Sequence, residues 1–288
     1  MPKNSLRFLR FIFLVLAVLA EAFPAHAQNP WERVPPTPAL PKPERSGMVP
    51  ANGVRIWYAA FGHGSPVILL HGGLGNSNYW GFQVPALAQH YEVIVMDSRG
   101  HGRSTWDGKP IGYHLMASDV IALMDALHIP KAAIVGWSDG AIIGLDIAIH
   151  HPERLSRLFA FGANSNVAGV MNPEGSTAFS TYMTRTREEY AKLSPASAGF
   201  NAFHDALNKM WNSEPDFSDA QLRGIRIPTW IVDGDRDEII KRQDSDRMAR
   251  LIPGAGELIM PRVSHFAVLQ DPKQFNEALL DFLSEREK

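Results

Sequence analysis

The feature that most restricts this chain is a glycine-serine-glycine turn wedged between an apolar run and a helical one. Gly136-Trp137-Ser138-Asp139-Gly140 is its single G-x-S-x-G, preceded by the apolar residues 132–135 and followed by the helical pattern 141–149. A short apolar run without alternation reads as a strand buried on both faces. Passing from such a strand straight into a helix forces the central residue into a strained conformation, and glycines must flank it for the segments to approach. This predicts a sheet covered by helices on both sides, with one serine hydroxyl held at its edge.

The remaining chain repeats the same rhythm. Apolar runs recur at 66–70, 92–96, 155–161, 229–232 and 257–260, mostly with helical patterns between them. Met116, Val120, Leu123, Met124 and Leu127 follow three- and four-residue steps, with Asp119 and Asp125 off that stripe, so an amphipathic helix is expected to end before Pro130. The strand pattern Val54-Arg55-Ile56-Trp57-Tyr58 follows Asn52-Gly53, a hairpin signal that predicts an antiparallel start. Together these predict an α/β fold with a mainly parallel sheet, whose ligands bind beyond the strand C-termini.

The rhythm breaks at 164–226, which is too long for a simple connection and rich in aromatic residues and methionine. It is read as an inserted helical cap. The core is then 46–163 and 227–288, one domain for a chain of 288 residues. Six prolines within 28–45 predict an extended tether before it.

Lys3, Arg7 and Arg10 precede an apolar run at 11–20, and Ala25-His26-Ala27 ends the segment. This pattern predicts a signal peptide at 1–27 and a periplasmic or secreted mature chain beginning at Gln28. Ten apolar residues fall short of the roughly 20 that span a bilayer, so no stable membrane span is expected after cleavage. A net charge of -2 argues against nucleic-acid partners, and the absence of cysteine excludes a thiol nucleophile or thiolate metal site.

A serine hydroxyl needs a base within hydrogen-bond reach and a third group to orient that base. Beyond the helix that follows Ser138, which closes with His150 and His151, only His204 and His265 remain. His204 lies in the cap, whereas His265 follows the last predicted strand, at the edge where ligands bind. The acid is expected after the strand 229–232, where Asp233, Asp235 and Asp237 compete. Asp237 suits a loop residue reaching toward the site, and the other two suit the strand end and the turn after Gly234. Residues 71–75, His71-Gly72-Gly73-Leu74-Gly75, follow the strand 66–70. The N–H of Gly73 or Leu74, with that of Asp139, would receive an oxyanion, and His71 would brace the loop. Residues 97–104 lack the ending and spacing of a phosphate-binding loop and read as a structural turn. His150 and His151 are adjacent on a helix and do not face one another, so no metal site is read there.

These motifs, in the order Ser138, Asp237, His265, resemble the α/β-hydrolase superfamily from about residue 54 to 283. More narrowly, residues 136–140 with Phe161-Gly162-Ala163-Asn164 look like the valacyclovir hydrolase (biphenyl hydrolase-like) proteins and bacterial enol-lactonase-like hydrolases. Ala141 stands where members often carry a second glycine. The resemblance implies a capped site with Ser138, Asp237 and His265 as triad. It also implies that the acid after the nucleophile, Asp139, recognises an α-amino group, against the simpler reading of an acid in the first turn of a helix.

The expected reaction is hydrolysis of a small-molecule carboxylic ester or lactone through an acyl-enzyme, with no cofactor. Trp211 and Met183, among the cap's aromatic and methionine side chains, are expected to line an apolar acyl pocket beside Asp139. Carbon-carbon bond hydrolysis, peptidase action and cofactor-free peroxidation use the same triad. A non-catalytic receptor of this fold would need the pocket but neither the base nor its orienter.

Overall fold

The computed structural model describes residues 29–285. The signal-peptide reading of 1–27 and the expected first mature residue, Gln28, lie outside the described residues. Eight strands form one sheet in the order β1-β2-β4-β3-β5-β6-β7-β8. They are β1 (Arg45–Ala51), β2 (Val54–Phe61), β3 (Ser65–Leu70), β4 (Tyr91–Met96), β5 (Ala132–Trp137), β6 (Leu155–Phe161), β7 (Thr229–Gly234) and β8 (Gly256–Met260). The β1–β2 and β2–β4 pairings are antiparallel and the others parallel. At the β1–β2 turn Asn52 and Gly53 both have positive φ, 43° and 85°, the condition of the tight hairpin turn that an Asn-Gly pair selects. β1 carries no apolar run because it is an edge strand, where Gly47 and Pro50 are tolerated.

The central strands are buried on both faces, which is why they read as unbroken apolar runs. In β3, Val67 and Leu69 join one core and Ile68 and Leu70 the other; β4 divides Val93 and Val95 from Ile94 and Met96 in the same way. Helices α2 (Tyr113–Ala126), α3 (Asp139–His150), α6 (Asp219–Gly224) and α7 (Arg242–Leu251) contribute Val120, Leu145, Leu222 and Met248 to one core. Helices α1 (Val84–Leu87), α8 (Ala267–Gln270) and α9 (Pro272–Ser284) contribute Val84, Val268 and Phe275 to the other.

Asp119 lies off the apolar stripe of α2, as its spacing predicts, yet it is buried. Arg99 donates to it twice, at 2.6 and 2.7 Å, and Asn52 adds a third hydrogen bond at 2.8 Å, so the pair ties α2 to the β1–β2 turn and to the loop after β4. Asp97 in the same loop accepts the N–H groups of Ser77 and Arg103, both at 2.7 Å, the work of a structural turn.

The excursion between β6 and β7 carries α4 (Thr177–Leu193) and α5 (Phe200–Trp211) over the C-terminal edge of the sheet. Its last helix, α6, instead packs against α3 and α7 as part of the helical layer. The proline-rich stretch opens with a single 3-10 turn at Pro30–Glu32 and then runs without further helix or strand to β1. It is held along the protein: Arg185 of α4 donates to the carbonyls of Val34 and Pro35 at 2.7 and 2.5 Å, and Gln270 to that of Arg33 at 2.9 Å.

Candidate active site

The order of strands reverses around β3, since β4 returns on one side of it and β5 on the other. The crevice at the C-terminal ends of such strands is where an α/β sheet binds ligands. The segments after β3, β5, β6, β7 and β8 all contribute to one cavity there, of about 190 Å³.

Ser138 stands between β5 and α3 with φ 55° and ψ -120°, a conformation that costs a non-glycine residue about 1–3 kcal/mol. Its N–H is anchored on the Phe161 carbonyl at 2.8 Å. A Cβ on Gly136 would collide with the backbone of Ala141, and one on Gly140 with the carbonyl of Leu70. Both glycines of the motif are therefore steric requirements of this turn. Ala141, which stands where members of the resembled family often carry a second glycine, is fully buried.

His265 follows β8 and meets Asp237 from the loop after β7. Its Nδ1 lies 2.7 Å from Asp237 Oδ2, and both side chains are almost wholly buried. The other carboxylate oxygen accepts the N–H groups of Ile239 and Ile240 at 2.7 and 2.8 Å. Burial alone would raise the Asp237 carboxyl, but the charge and hydrogen bond of His265, then the Asp233 side chain and the Ile240 N–H, outweigh it and hold it low. For His265, burial works against the charged ring, yet Asp237, then Glu238 and Asp139, raise it above its ordinary value. An ionised Asp237 takes the Nδ1 proton as a hydrogen bond, which leaves Nε2 as the nitrogen able to accept a proton.

The competing aspartates sit elsewhere. Asp233 ends β7 buried, bonded by Ser245 Oγ at 2.9 Å, and burial with the neighbouring Asp237 charge pushes its carboxyl well up. Asp235 faces its neighbour Arg236 at 3.7 Å.

Gly73 and Leu74 both border the cavity, in a turn closed by Gly75 N–H to Gly72 O at 3.0 Å. Leu74 takes a positive φ of 62°. His71 braces this loop: Nε2 accepts the Ser98 N–H at 3.0 Å, which makes Nδ1 the donor to Gly72 O at 2.8 Å. Burial lowers its pKa, consistent with that neutral tautomer.

Asp139 opens α3, and its side chain turns into the cavity rather than to solvent. Tyr113 donates to Oδ1 at 2.9 Å and Trp211 reaches both oxygens, so the carboxylate has two neutral donors but no cation. Burial pushes its carboxyl up to about 6, against the pull of Trp211, Tyr113 and His265. Of the cap's aromatic and methionine side chains, Phe179, Tyr182, Met183 and Trp211 line the cavity. Phe200, Phe203 and Met210 are buried in the apolar core instead. Among the described residues that line the cavity there is no lysine or arginine, while Asp139 and Glu214 are both acids.

Four contributors carry no sequence signal. Tyr113 and Glu214 meet only in the folded chain, where Glu214 accepts the Tyr113 N–H at 2.8 Å. Glu238 accepts the backbone N–H of His265 at 3.3 Å and Ser176 Oγ at 3.1 Å, joining the cap to the histidine loop. Trp137 lies inside the serine motif itself, and its indole donates to the His265 carbonyl at 2.8 Å.

A family model described as alpha/beta hydrolase fold matches residues 65–198. The human serine hydrolase BPHL is 29% identical over 267 residues, covering 87% of this chain and 90% of that protein. A putative carbamate hydrolase, RutD, from Caulobacter vibrioides is 30% identical over 254 residues, covering 77% of this chain and 93% of that one. Among solved structures, Est816, described as an N-acyl homoserine lactone degrading enzyme, is 29% identical with a TM-score of 0.68, over 82% of this chain and all of that one.

Proposed function

Because this chain belongs to the α/β-hydrolase family, we propose that it is a serine hydrolase cleaving a small carboxylic ester or lactone through an acyl-enzyme on Ser138. The observation that carries this reading is the meeting, at one cavity, of a strained serine with a histidine bonded at 2.7 Å to a buried carboxylate.

In this scheme His265 Nε2 takes the proton of Ser138 Oγ as that oxygen attacks the substrate carbonyl. The ionised Asp237 holds the imidazolium that forms. The N–H of Asp139, with that of Gly73 or Leu74, receives the oxyanion. The intermediate collapses, His265 protonates the departing alkoxide, and water repeats the sequence to release the acid. A base and its orienter have no use in a receptor, so catalysis is favoured over binding alone.

The cavity walls narrow the substrate. About 190 Å³ lies below the usual range for ligand pockets, which suits a short acyl group against Met183, Phe179 and Trp211. A cavity lined by two acids and by no lysine or arginine among the described residues disfavours a carboxylate, which argues for a neutral or cationic acyl portion. The buried Asp139, held only by neutral donors, specifically favours a cationic group such as an α-amino group.

Fluorophosphonate labelling of the mature protein, followed by p-nitrophenyl esters of increasing acyl length and a set of lactones, tests the reading. Labelling is expected in the wild type and absent in Ser138→Ala. Wild-type turnover in a clean Ser138→Ala preparation would sink the mechanism; cleavage of carbamates or carbon-carbon bonds alone would leave the triad and discard the ester assignment. Export is proposed on Lys3, Arg7, Arg10, the apolar run and Ala25-His26-Ala27. Retention of the whole chain inside the cell would overturn export, and a mature N-terminus other than Gln28 on protein recovered from the periplasm or medium would overturn the cleavage position.

A further inference from the structure

We propose that the protein carries a zinc site formed by His114, Asp146 and His150, outside the cavity that holds Ser138. His114 lies in the first turn of α2, while Asp146 and His150 are one turn apart on α3. A ring nitrogen from each histidine and a carboxylate oxygen of Asp146 all lie within 4.8 Å of one another. His114 Nδ1 is 3.0 Å and His150 Nδ1 3.3 Å from the same oxygen, Asp146 Oδ1, and the two rings stand 4.7 Å apart, edge to face. His151 takes no part, since it pairs with Glu153 at 3.6 Å.

The donor set selects the ion. Two imidazoles and one carboxylate suit zinc, whereas magnesium and calcium ask for oxygen ligands. Ligands at about 2.0–2.1 Å from a tetrahedral zinc are separated by about 3.3 Å, so the two histidine-to-carboxylate spacings, 3.0 and 3.3 Å, already match, and the ligand set as a whole lies within 4.8 Å. What adjustment remains falls on flexible side chains, because His114 and His150 are 67% and 37% exposed. Asp146, at 5%, is the fixed point. Three protein ligands leave the fourth position to water. The ion would clamp the start of α2 to α3, beside Tyr113, whose hydroxyl holds Asp139.

The test is calorimetric titration of zinc chloride into tag-free, chelator-treated protein near neutral pH. One equivalent is expected in the wild type, with affinity falling at least about tenfold in His114→Ala and in His150→Ala. Both substitutions remove exposed side chains and leave the core intact. Zinc is expected to raise the melting temperature of the wild type by several degrees and not that of His114→Ala. Cobalt in place of zinc is expected to give the strong visible absorption of a four-coordinate ion. Equal zinc affinity in the wild type and His114→Ala, or binding lost in His265→Gln but kept in His114→Ala, would overturn the site. Ester turnover is measured in parallel, so that failure of the zinc site and failure of the hydrolase reading are separate results.

Discussion

The indole Nε1 of Trp211 donates to both carboxylate oxygens of Asp139, at 3.1 and 3.0 Å, so the cap grips the residue that directly follows Ser138. A helix-start acid that merely met the helix dipole would face solvent. This one is 5% exposed and forms part of the cavity wall.

That burial has a cost that can be measured. A carboxyl raised from 3.8 to about 6 takes up protons on folding between those values, so stability falls as pH rises through that window and the loss is complete above it. The shift corresponds to a ceiling of about 3 kcal/mol. Asp139→Asn is expected to melt several degrees above the wild type at pH 8, with the gap closing toward pH 4. A variant that melts lower at pH 8 by the equivalent of about 0.3–1 kcal/mol would return Asp139 to a helix-start role.

The same carboxyl sets a pH limit on substrate choice. Between a permanently charged quaternary ammonium ester and its uncharged isostere, the ratio of kcat/KM is expected to favour the cation by several-fold at pH 8 and to decline as Asp139 is protonated below about 6. Asp139→Asn is expected to remove the preference while sparing the neutral ester. A ratio of one throughout would remove the cationic reading and leave the triad untouched.

His265 must be neutral to act as a base, and its neighbours raise its pKa, so kcat/KM is expected to rise with pH along a limb centred above 6.5. Glu238 contributes to that rise through its charge. Glu238→Gln is expected to move the limb to lower pH with little loss on the plateau; an unmoved limb with a lowered plateau would reduce Glu238 to a purely structural contact.

The two buried aspartates, Asp233 and Asp237, differ in partner, since only Asp237 bonds His265. Asp237→Asn removes the orienting carboxylate and is expected to lower kcat by about 10⁴. Asp233 bonds Ser245 and the Gly234 N–H and makes no bond to His265, so Asp233→Asn is expected to keep most of the activity. The reverse ranking would reassign the acid.

Cap residues divide by what they touch. Met183→Ala enlarges the cavity and is expected to shift preference toward longer acyl chains. Phe203→Ala, removed from a closed core, is expected to cost about 3–5 kcal/mol of stability and leave chain-length preference unchanged. An unchanged preference in Met183→Ala would make that wall structural.

The sequence by itself determined the strands buried on both faces, because continuous apolar runs leave a sheet no other arrangement, and it determined the serine turn, because only glycine tolerates the backbone contacts at positions 136 and 140. Only the tertiary structure decided what surrounds that turn. Asp119 falls off the stripe of its helix, which predicts exposure, yet Arg99, 20 residues away, buries it in a paired network. The sequence placed Trp211 in the pocket, but nothing local showed that Tyr113, from the start of α2, would join it on Asp139, or that Glu214, just beyond Trp211, would accept the Tyr113 N–H. His150 beside His151 is an unpromising pair along one helix, and its companions, His114 and Asp146, adjoin it only once α2 packs on α3. Periodicity reports which face of an element is buried, whereas the partner that a buried charge or ring meets depends on contacts distant in the chain.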